Sequence, residues 1–429
     1  MRLLILLPSR GRGGAEGYAL TIAQAALQKG WDVHLAMQHT AETASLIEDF
    51  CALSVSYHPL AIGEVHDPKV ETAGKHMLRC VKTAELLIRL KPDVVQIVLP
   101  WQNLGRGSVF ACGLLKIPTM VVFQLAPQKL SFSARMQSLY AWAQARNQRW
   151  VAVSEHNRRI ISQSFNLPLG CIHRIYNGAS SKASLAGNSQ EQDTPTVEQT
   201  VEQIVEQTVE PTTALRDRIR QELGLPQDSR IILTVGRLCW QKGYHLLGQT
   251  VSHLIRNFPD IHFVWVGTGE FQAELTQQLQ DYGVAEKVTL LGRRSDIPDL
   301  LQASDLFVFP TLYEGQPFAL LEALSMGCPV VSTDASGIPE IITHNVHGVL
   351  CRTDDSCDLF NAIHWALQHP IQMQEMAHRA IDRAAEFSEA RMLQETLEHL
   401  QKLSECEEKP TVVSLNSLEQ HGKPDFAGY

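Results

Sequence analysis

The chain has no apolar run near the roughly 20 residues that a membrane-crossing helix needs, and no Cys-x-x-Cys pair. It is also poor in aromatics (7%) and only modestly charged (19%), while 44% of its 429 residues are hydrophobic, with 27 Gly and 20 Pro. Those proportions exclude disorder throughout, collagen and coiled coil, and the length suits two or three globular domains. The nine cysteines (51, 80, 112, 171, 239, 328, 351, 357, 406) follow no pattern, so reduced thiols in the cytosol are expected. Met1–Pro8 carries one basic residue and too short an apolar stretch for a signal peptide, and a cytoplasmic location is expected. Gly-x-x-x-x-Gly-Lys-Ser/Thr, Gly-x-Ser-x-Gly and His-Glu-x-x-His are all missing, which removes support for P-loop ATPase, hydrolase-elbow and zincin readings. His344-x-x-His347 has no further ligand nearby and reads as a surface-loop pair.

The net charge of −9 is concentrated in two segments. Residues 181–213 contribute −5 and residues 404–429 contribute −3, leaving −1 on the remaining body. A near-neutral body gives no support for a nucleic-acid partner. Residues 196–210 repeat Thr-Val-Glu-Gln with a period of four. That period stacks Val197, Val201, Val205 and Val209 on a helical stripe, but like-charged glutamates stack as well and Pro211 would end the helix. A solvated low-complexity insertion is therefore expected at 181–213, and an unstructured tail at 404–429.

Two blocks remain, 1–180 and 214–403, and both alternate short apolar runs with amphipathic stretches. Leu3–Leu7, Val33–Ala36, Val94–Leu99, Thr119–Phe123 and Trp150–Val153 have the continuous apolar character of strands buried on both faces. Ile231–Val235, His262–Val266, Val288–Leu290, Leu306–Phe309 and Val330–Ser332 repeat that rhythm. Residues 14–29 and 78–90 are helical patterns between strands. The expected fold class is α/β, two doubly wound Rossmann-like domains with a ligand cleft at the carboxyl ends of their strands. Residues 131–150 combine Arg135, Arg146 and Arg149 with Tyr140, Trp142 and Trp150. A helix packed on the sheet is the favoured reading there, with peripheral membrane contact as the alternative.

Three loops carry the candidate chemistry. The first strand runs into Ser9-Arg10-Gly11-Arg12-Gly13-Gly14-Ala15-Glu16, where Glu16 breaks a dinucleotide fingerprint. The loop is either an anion-binding approach or a tight turn. Strand Ile231–Val235 delivers Gly236-Arg237, with Lys242-Gly243 five residues after the arginine. Two cations at a strand's carboxyl end suit a diphosphate leaving group, or form a solvated surface pair. After Pro310 comes Glu314-Gly315-Gln316-Pro317-Phe318, then an apolar helix interrupted by Glu322, with Pro317 expected in its first turn. A carboxylate in an apolar helix needs a partner, either a ribose diol or a structural arginine.

Glu314-x7-Glu322, preceded by Gly236-Arg237-x4-Lys242-Gly243, resembles the family-4 retaining glycosyltransferases of GT-B fold. Gly13-Gly14-Ala15-Glu16, Val153-Ser154-Glu155, Asn177-Gly178, Val266-Gly267-Thr268-Gly269, Gly292-Arg293-Arg294 and Gly337-Ile338-Pro339-Glu340 lie in the matching order, so the resemblance covers about 370 residues, everything but the insertion and tail. It implies an N-terminal acceptor domain and a C-terminal nucleotide-sugar domain, whose last helix can return to the first. It further implies that Arg237 and Lys242 hold the donor diphosphate, that Glu322 takes the ribose hydroxyls, and that Glu314 with the Gly315, Gln316, Pro317 and Phe318 backbone contacts the donor sugar. Gly236 and Gly267 would border the donor, Gly292 to Arg294 would line the base, and Gly14 would admit the donor phosphates. No cofactor and no metal are expected, in keeping with the missing Asp-x-Asp. The implied partners are a nucleotide-diphosphate sugar and an acceptor that the sequence does not specify: a glycan, a lipid-linked molecule or a small molecule. The first two would suit a place in polysaccharide or glycolipid biosynthesis, peripheral to the inner face of a membrane.

One departure stands out. Many members of that family have a His directly after the strand matching Thr119–Phe123, facing the donor sugar, whereas this chain has Gln124. Glutamine can hydrogen-bond a hydroxyl but cannot titrate. The alternatives to a working transferase are therefore a catalytically silent sugar-nucleotide binder and a sugar-nucleotide epimerase. A nicotinamide dehydrogenase comes last, because of Glu16.

Overall fold

The structure is a computed structural model that describes residues 1–64, 72–180 and 210–405. The first domain runs β1 (Arg2–Leu7), α1 (Gly14–Gln28), β2 (Asp32–Met37), α2 (Ala44–Ala52), β3 (Ser56–Pro59), α3 (Ala73–Leu90), β4 (Val94–Leu99), α4 (Arg106–Leu115), β5 (Thr119–Phe123), α5 (Ala134–Gln144), β6 (Gln148–Ala152), α6 (Glu155–Phe165) and β7 (Ile172–Arg174). Its seven strands are ordered β3-β2-β1-β4-β5-β6-β7, and every pairing is parallel. The second runs α7 (Glu210–Glu222), β8 (Arg230–Val235), α8 (Tyr244–Asn257), β9 (Ile261–Val266), α9 (Gln272–Asp281), β10 (Val288–Gly292), α10 (Ile297–Ala303), β11 (Leu306–Phe309), α11 (Phe318–Ser325), β12 (Val330–Thr333), β13 (Val349–Cys351), α12 (Ser356–Gln368), α13 (Pro370–Ala385) and α14 (Glu389–Ser404). Its six parallel strands are ordered β10-β9-β8-β11-β12-β13.

Every apolar run expected to be a strand is one, because each is covered by helices on both faces. The sequence reading missed β3, β7 and β13, which are sheet-edge strands of three or four residues. In β3 no residue is fully buried, so its sequence has no continuous apolar signal. Pro211 was expected to terminate a helix but lies in the first turn of α7, where its missing N–H costs nothing. Otherwise the Thr-Val-Glu-Gln repeat and the tail lie outside the described residues. Residues 131–150 form α5 and β6 as a packed unit: Tyr140 and Trp150 join Phe123 and Phe165 in a buried aromatic cluster, with Tyr140 and Phe165 centroids 4.6 Å apart.

The last helix leaves the second domain. Met392, Leu397, Leu400 and Leu403 of α14 are buried in the core that holds Leu3, Ile5 and Tyr18 of the first. Two chain crossings run side by side at this point: Ala179 N–H donates to Phe387 O at 3.1 Å and Glu389 N–H donates to Ala179 O at 3.1 Å. A Cβ on Gly178 would strike the Ser388 carbonyl, so only glycine allows that contact. Elsewhere Glu340 of the second domain reaches the N-terminus of α6. Its carboxylate accepts the Glu155 and His156 N–H groups at 2.8 and 2.7 Å and the Tyr176 hydroxyl at 3.2 Å. An acid at a helix N-terminus meets both unsatisfied amides and the positive end of the dipole.

Leu400→Ala should lower unfolding free energy by about 3 kcal/mol through cavity formation in the first domain; an unchanged urea midpoint would show that α14 does not hold its place. Glu340→Ala should cost about 2 kcal/mol and separate the unfolding of the two domains. A single, unshifted calorimetric transition would contradict that grip.

Candidate functional site

Strands β8, β9 and β10 end together in Gly236, Gly267 and Gly292. Gly236 N–H donates to Val266 O at 2.9 Å and Gly267 N–H to Gly292 O at 2.8 Å. Gly267 has φ +139°, and a Cβ there would collide with the Gly236 carbonyl, so this position can only be glycine. Arg237 leaves the rim exposed, with one Nη2 donating to Gln241 Oε1 at 3.4 Å and no ion pair among the described residues. Lys242 turns back under it. Its ammonium pairs with the buried Glu314 carboxylate, whose Oε1 also accepts from Thr311 Oγ1 at 3.0 Å, and it lies 5.0 Å from the Phe309 ring centroid. The three residues expected to be catalytic thus lie at neighbouring strand ends, two of them in direct contact.

The Glu314–Phe318 loop is pressed onto the first domain. A Cβ on Gly315 would collide with the Gln124 carbonyl, and one on Gly337 with the Gly315 carbonyl. Asn177 joins the sides: its N–H donates to Gln316 Oε1 at 2.5 Å and its Nδ2 to Gln316 O at 2.9 Å and Gln124 Oε1 at 3.0 Å. Gln124 and Gln316 are both buried, and among the described residues neither Nε2 finds an acceptor. Unpaired buried amide donors cost roughly 1–3 kcal/mol each, and hydroxyl oxygens would satisfy them. Pro317 is the cap residue before α11, one position earlier than expected, and Phe318 opens the helix. Across the cleft stand the first domain's glycines: a Cβ on Gly14 would sit 3.4 Å from the Phe318 ring, and one on Gly13 would sit 3.7 Å from Arg237 Nε.

Glu322 lies inside α11. Among the described residues no cation or donor meets its carboxylate, so the structural-arginine alternative is not realised. Burial, with the Glu389 carboxylate adding to it, pushes its pKa above the ordinary value. Arg293 is exposed. Arg294 is not: its guanidinium is held by Asp296 at 2.6 and 2.8 Å and by Glu222 at 2.7 Å, so a base at this segment would meet backbone. His344 and His347 accept backbone N–H groups of their own loop, from Leu350 at 3.0 Å and Thr343 at 3.2 Å. Among the described residues no group of three His, Cys, Asp or Glu gathers as a metal-binding set.

Sequence reasoning used Asn177 and Glu340 only as order marks. Asn177 and Glu340 bind the domains together, and their signal was their presence in short Gly-containing motifs of the right order. Glu16, noted for breaking a fingerprint, is buried beside Arg237; burial raises its pKa, and the Ser9 hydroxyl and the arginine's charge work against that rise.

Two family models match the chain, Glycosyltransferase Family 4 over residues 12–182 and Glycosyl transferases group 1 over residues 216–387. The UDP-Gal:alpha-D-GlcNAc-diphosphoundecaprenol alpha-1,3-galactosyltransferase of Escherichia coli is 38% identical over 144 residues, which is 33% of this chain and 37% of that protein. The alpha-D-kanosaminyltransferase of Streptomyces kanamyceticus is 29% identical over 169 residues, 39% of this chain and 44% of that one. The chain thus matches about two-fifths of the length of these relatives. Among solved structures, Anabaena Alr3699/HepE in complex with UDP superimposes with a TM-score of 0.70 at 21% identity, covering 94% of this chain and 100% of that one. A glycosyltransferase from Rickettsia africae gives 0.73 at 16% identity, covering 94% and 99%. With one model on each Rossmann-like domain and the same two-domain architecture in solved transferases, the chain belongs to the family-4, group 1 glycosyltransferases of GT-B fold.

Proposed function

We propose that the protein transfers a sugar, with retention of anomeric configuration and without a metal, from a nucleotide-diphosphate sugar to a lipid-linked glycan. The observation that carries this reading is the spacing of charges around the glycine rim. Arg237 and Lys242 stand at one end of the Glu314–Glu322 segment, and a carboxylate with no cation partner among the described residues stands at the other. A nucleoside diphosphate matches both ends, its phosphates at the cations and its ribose diol at Glu322. UDP is the base to try first, since the Anabaena neighbour was solved with UDP and the Escherichia coli relative is named for UDP-Gal. The lipid-linked acceptor is taken from the same relative, whose acceptor is a diphosphoundecaprenol-linked sugar.

In this reading the bond from the anomeric carbon to the donor phosphate oxygen breaks and the diphosphate leaves with the electron pair. Arg237 and Lys242 stabilise the charge that develops on it. The acceptor hydroxyl attacks from the same face, and its proton passes to the departing phosphate. Glu314, bound to Lys242, positions that lysine and turns its second oxygen toward the sugar. The Gln124 and Gln316 amides supply hydrogen bonds to sugar hydroxyls, so the glutamine serves where a titrating group is not required.

Calorimetric titration with UDP-sugars, with and without EDTA, tests the donor half. Binding should survive EDTA and weaken about 10- to 100-fold in Arg237→Ala and in Glu322→Gln, the range for lost charge-assisted hydrogen bonds. Binding indifferent to both substitutions would overturn the assignment. Product analysis with a diphospholipid-linked sugar tests the rest: an inverted linkage, a metal requirement, or release of altered sugar without an acceptor would each sink it. Glu322→Gln should also raise the ligand-free melting temperature at neutral pH. The folded-state pKa of this acid is raised, so its charged form costs stability as pH rises through that value, and glutamine removes the cost. The gain should vanish in acid, where wild type is protonated both folded and unfolded. An equal gain at every pH would show that another cause operates.

A further inference from the structure

An exposed tryptophan stands in the loop that delivers both cations of the rim. Trp240, between Arg237 and Lys242, is 56% exposed, yet its ring is fixed in place. One indole face stacks on the His245 imidazole, with centroids 3.7 Å apart and planes 12° apart. The Phe271 ring meets the pair edge-on, 6.0 Å from Trp240 and 6.2 Å from His245. His245 is buried, and among the described residues neither of its ring nitrogens has a hydrogen-bond partner. Burial lowers its pKa, against the pull of the Asp354 and Glu274 carboxylates, so a neutral imidazole forms the floor beneath the indole.

The supports of this ring are shared with the donor site. Gly243, with φ +69°, rests so closely on the Pro310 carbonyl that no Cβ fits between them. Leu238 N–H donates to Thr268 O and Leu238 O accepts from Phe271 N–H, both at 3.0 Å, which ties this loop to the one after β9. Between Trp240 and Lys242, buried Gln241 accepts from Arg237 Nη2 at 3.4 Å and donates to Tyr313 O at 2.9 Å. Tyr313 in turn meets Trp101 of the first domain, with ring centroids 5.7 Å apart. Helices α8, α9 and α12 cover one side of the second sheet, and α7, α10 and α11 the other. Glu322 belongs to α11 and Arg294 is bound to Glu222 of α7, whereas Trp240 stacks on the first turn of α8 and beside the start of α9. A nucleoside seated at Glu322 thus leaves the Trp240 face to another ligand. Acids gather there: Glu274 and Asp354 act on His245, and Glu270 acts on Cys239 beside Trp240. All three are exposed, and none makes an ion pair among the described residues.

We propose that the Trp240 face is a subsite for a neutral glycan, the part of the acceptor that extends beyond the sugar receiving the transferred residue. A pyranose ring presents a flat C–H surface to the negative face of an indole. Its hydroxyls point outward from the ring edge, where Glu270, Glu274 and Asp354 accept their hydrogens. An aromatic ring already immobilised by stacking loses little rotamer freedom on binding. The carboxylates select against other occupants: a nucleic acid, a phospholipid headgroup or an acidic polysaccharide would bring its own negative charge among three unpaired acids. The role of this face as an acceptor subsite rests on the transfer reading above; its affinity for a neutral glycan does not.

The test is calorimetry and saturation-transfer NMR of the full chain with maltotetraose, cellotetraose, laminaritetraose and mannotetraose. At least one should bind, about tenfold or more tighter than its own monosaccharide, with saturation passing from the indole to sugar C–H protons. Trp240→Ala should weaken that binding about 10-fold, and Trp240→Phe by less. Glu270→Ala/Glu274→Ala should weaken it about fivefold. Tetragalacturonate should bind more weakly than the neutral chains. Tyr282→Ala, at the far end of α9, should leave binding unchanged, and every variant should keep the wild-type melting temperature. No binding of any neutral tetrasaccharide, binding indifferent to Trp240→Ala, or equal binding of tetragalacturonate would each overturn the subsite. UDP-sugar binding without glycan binding rejects the subsite alone, and glycan binding without UDP-sugar binding rejects the transfer reading alone.

Discussion

The Gly315 backbone rests against the Gln124 carbonyl so closely that no Cβ fits between them, and the arrangement of the site follows from that contact. Once the Glu314–Phe318 loop is seated there, Gln316 comes within reach of Asn177, and Asn177 in turn holds Gln124. Phe318 faces Gly14 and Arg237 faces Gly13. The Glu340 carboxylate on the α6 amides and the return of α14 keep the domains in this relation. Hydrogen bonds and glycine contacts of this kind demand a close approach while carrying little apolar area, which suits two domains that meet around a ligand and still have to separate.

The same region concentrates groups that a fold selected for stability alone would avoid. Among the described residues the Glu322 carboxylate has no partner and two buried glutamine amides find no acceptor, while Glu16 is buried with its pKa raised. Each is costly in the folded chain, and ligand hydroxyl groups would satisfy the Glu322 carboxylate and the two glutamine amides. Lys242 is the reverse case. Glu314 compensates its charge and fixes its position, so it stands beneath the rim as an oriented ammonium.

Charge is distributed by domain, which the whole-chain total conceals. The excess of lysine and arginine over residues 73–149 falls on helices covering one side of the first sheet, together with most of its exposed apolar side chains. The sequence reading favoured a helix packed on the sheet at 131–150, with peripheral membrane contact as the alternative, and the structure buries Tyr140 and Trp150 in the core. Part of that segment does face outward, as Leu139 and Trp142.

The interior strands, the two-domain plan and the Glu314–Glu322 and Arg237–Lys242 spacings were legible because they are local. A strand buried on both faces must be continuously apolar, and a loop entering a helix sets its spacing within ten residues. Edge strands β3, β7 and β13 were not legible, since a short, partly exposed strand draws its partners from the sheet and leaves little pattern in its own residues. Nor was the grip between domains: Asn177 is 53 positions from Gln124 and 139 from Gln316, and Glu340 is 185 from Glu155. The sequence by itself determined two doubly wound α/β domains and which residue types stand at the ends of their strands. Only the tertiary structure decided that Glu322 meets no arginine among the described residues, that Arg294 is bound by acids, and that α14 completes the first domain, because a partner's identity depends on distances that no local spacing encodes.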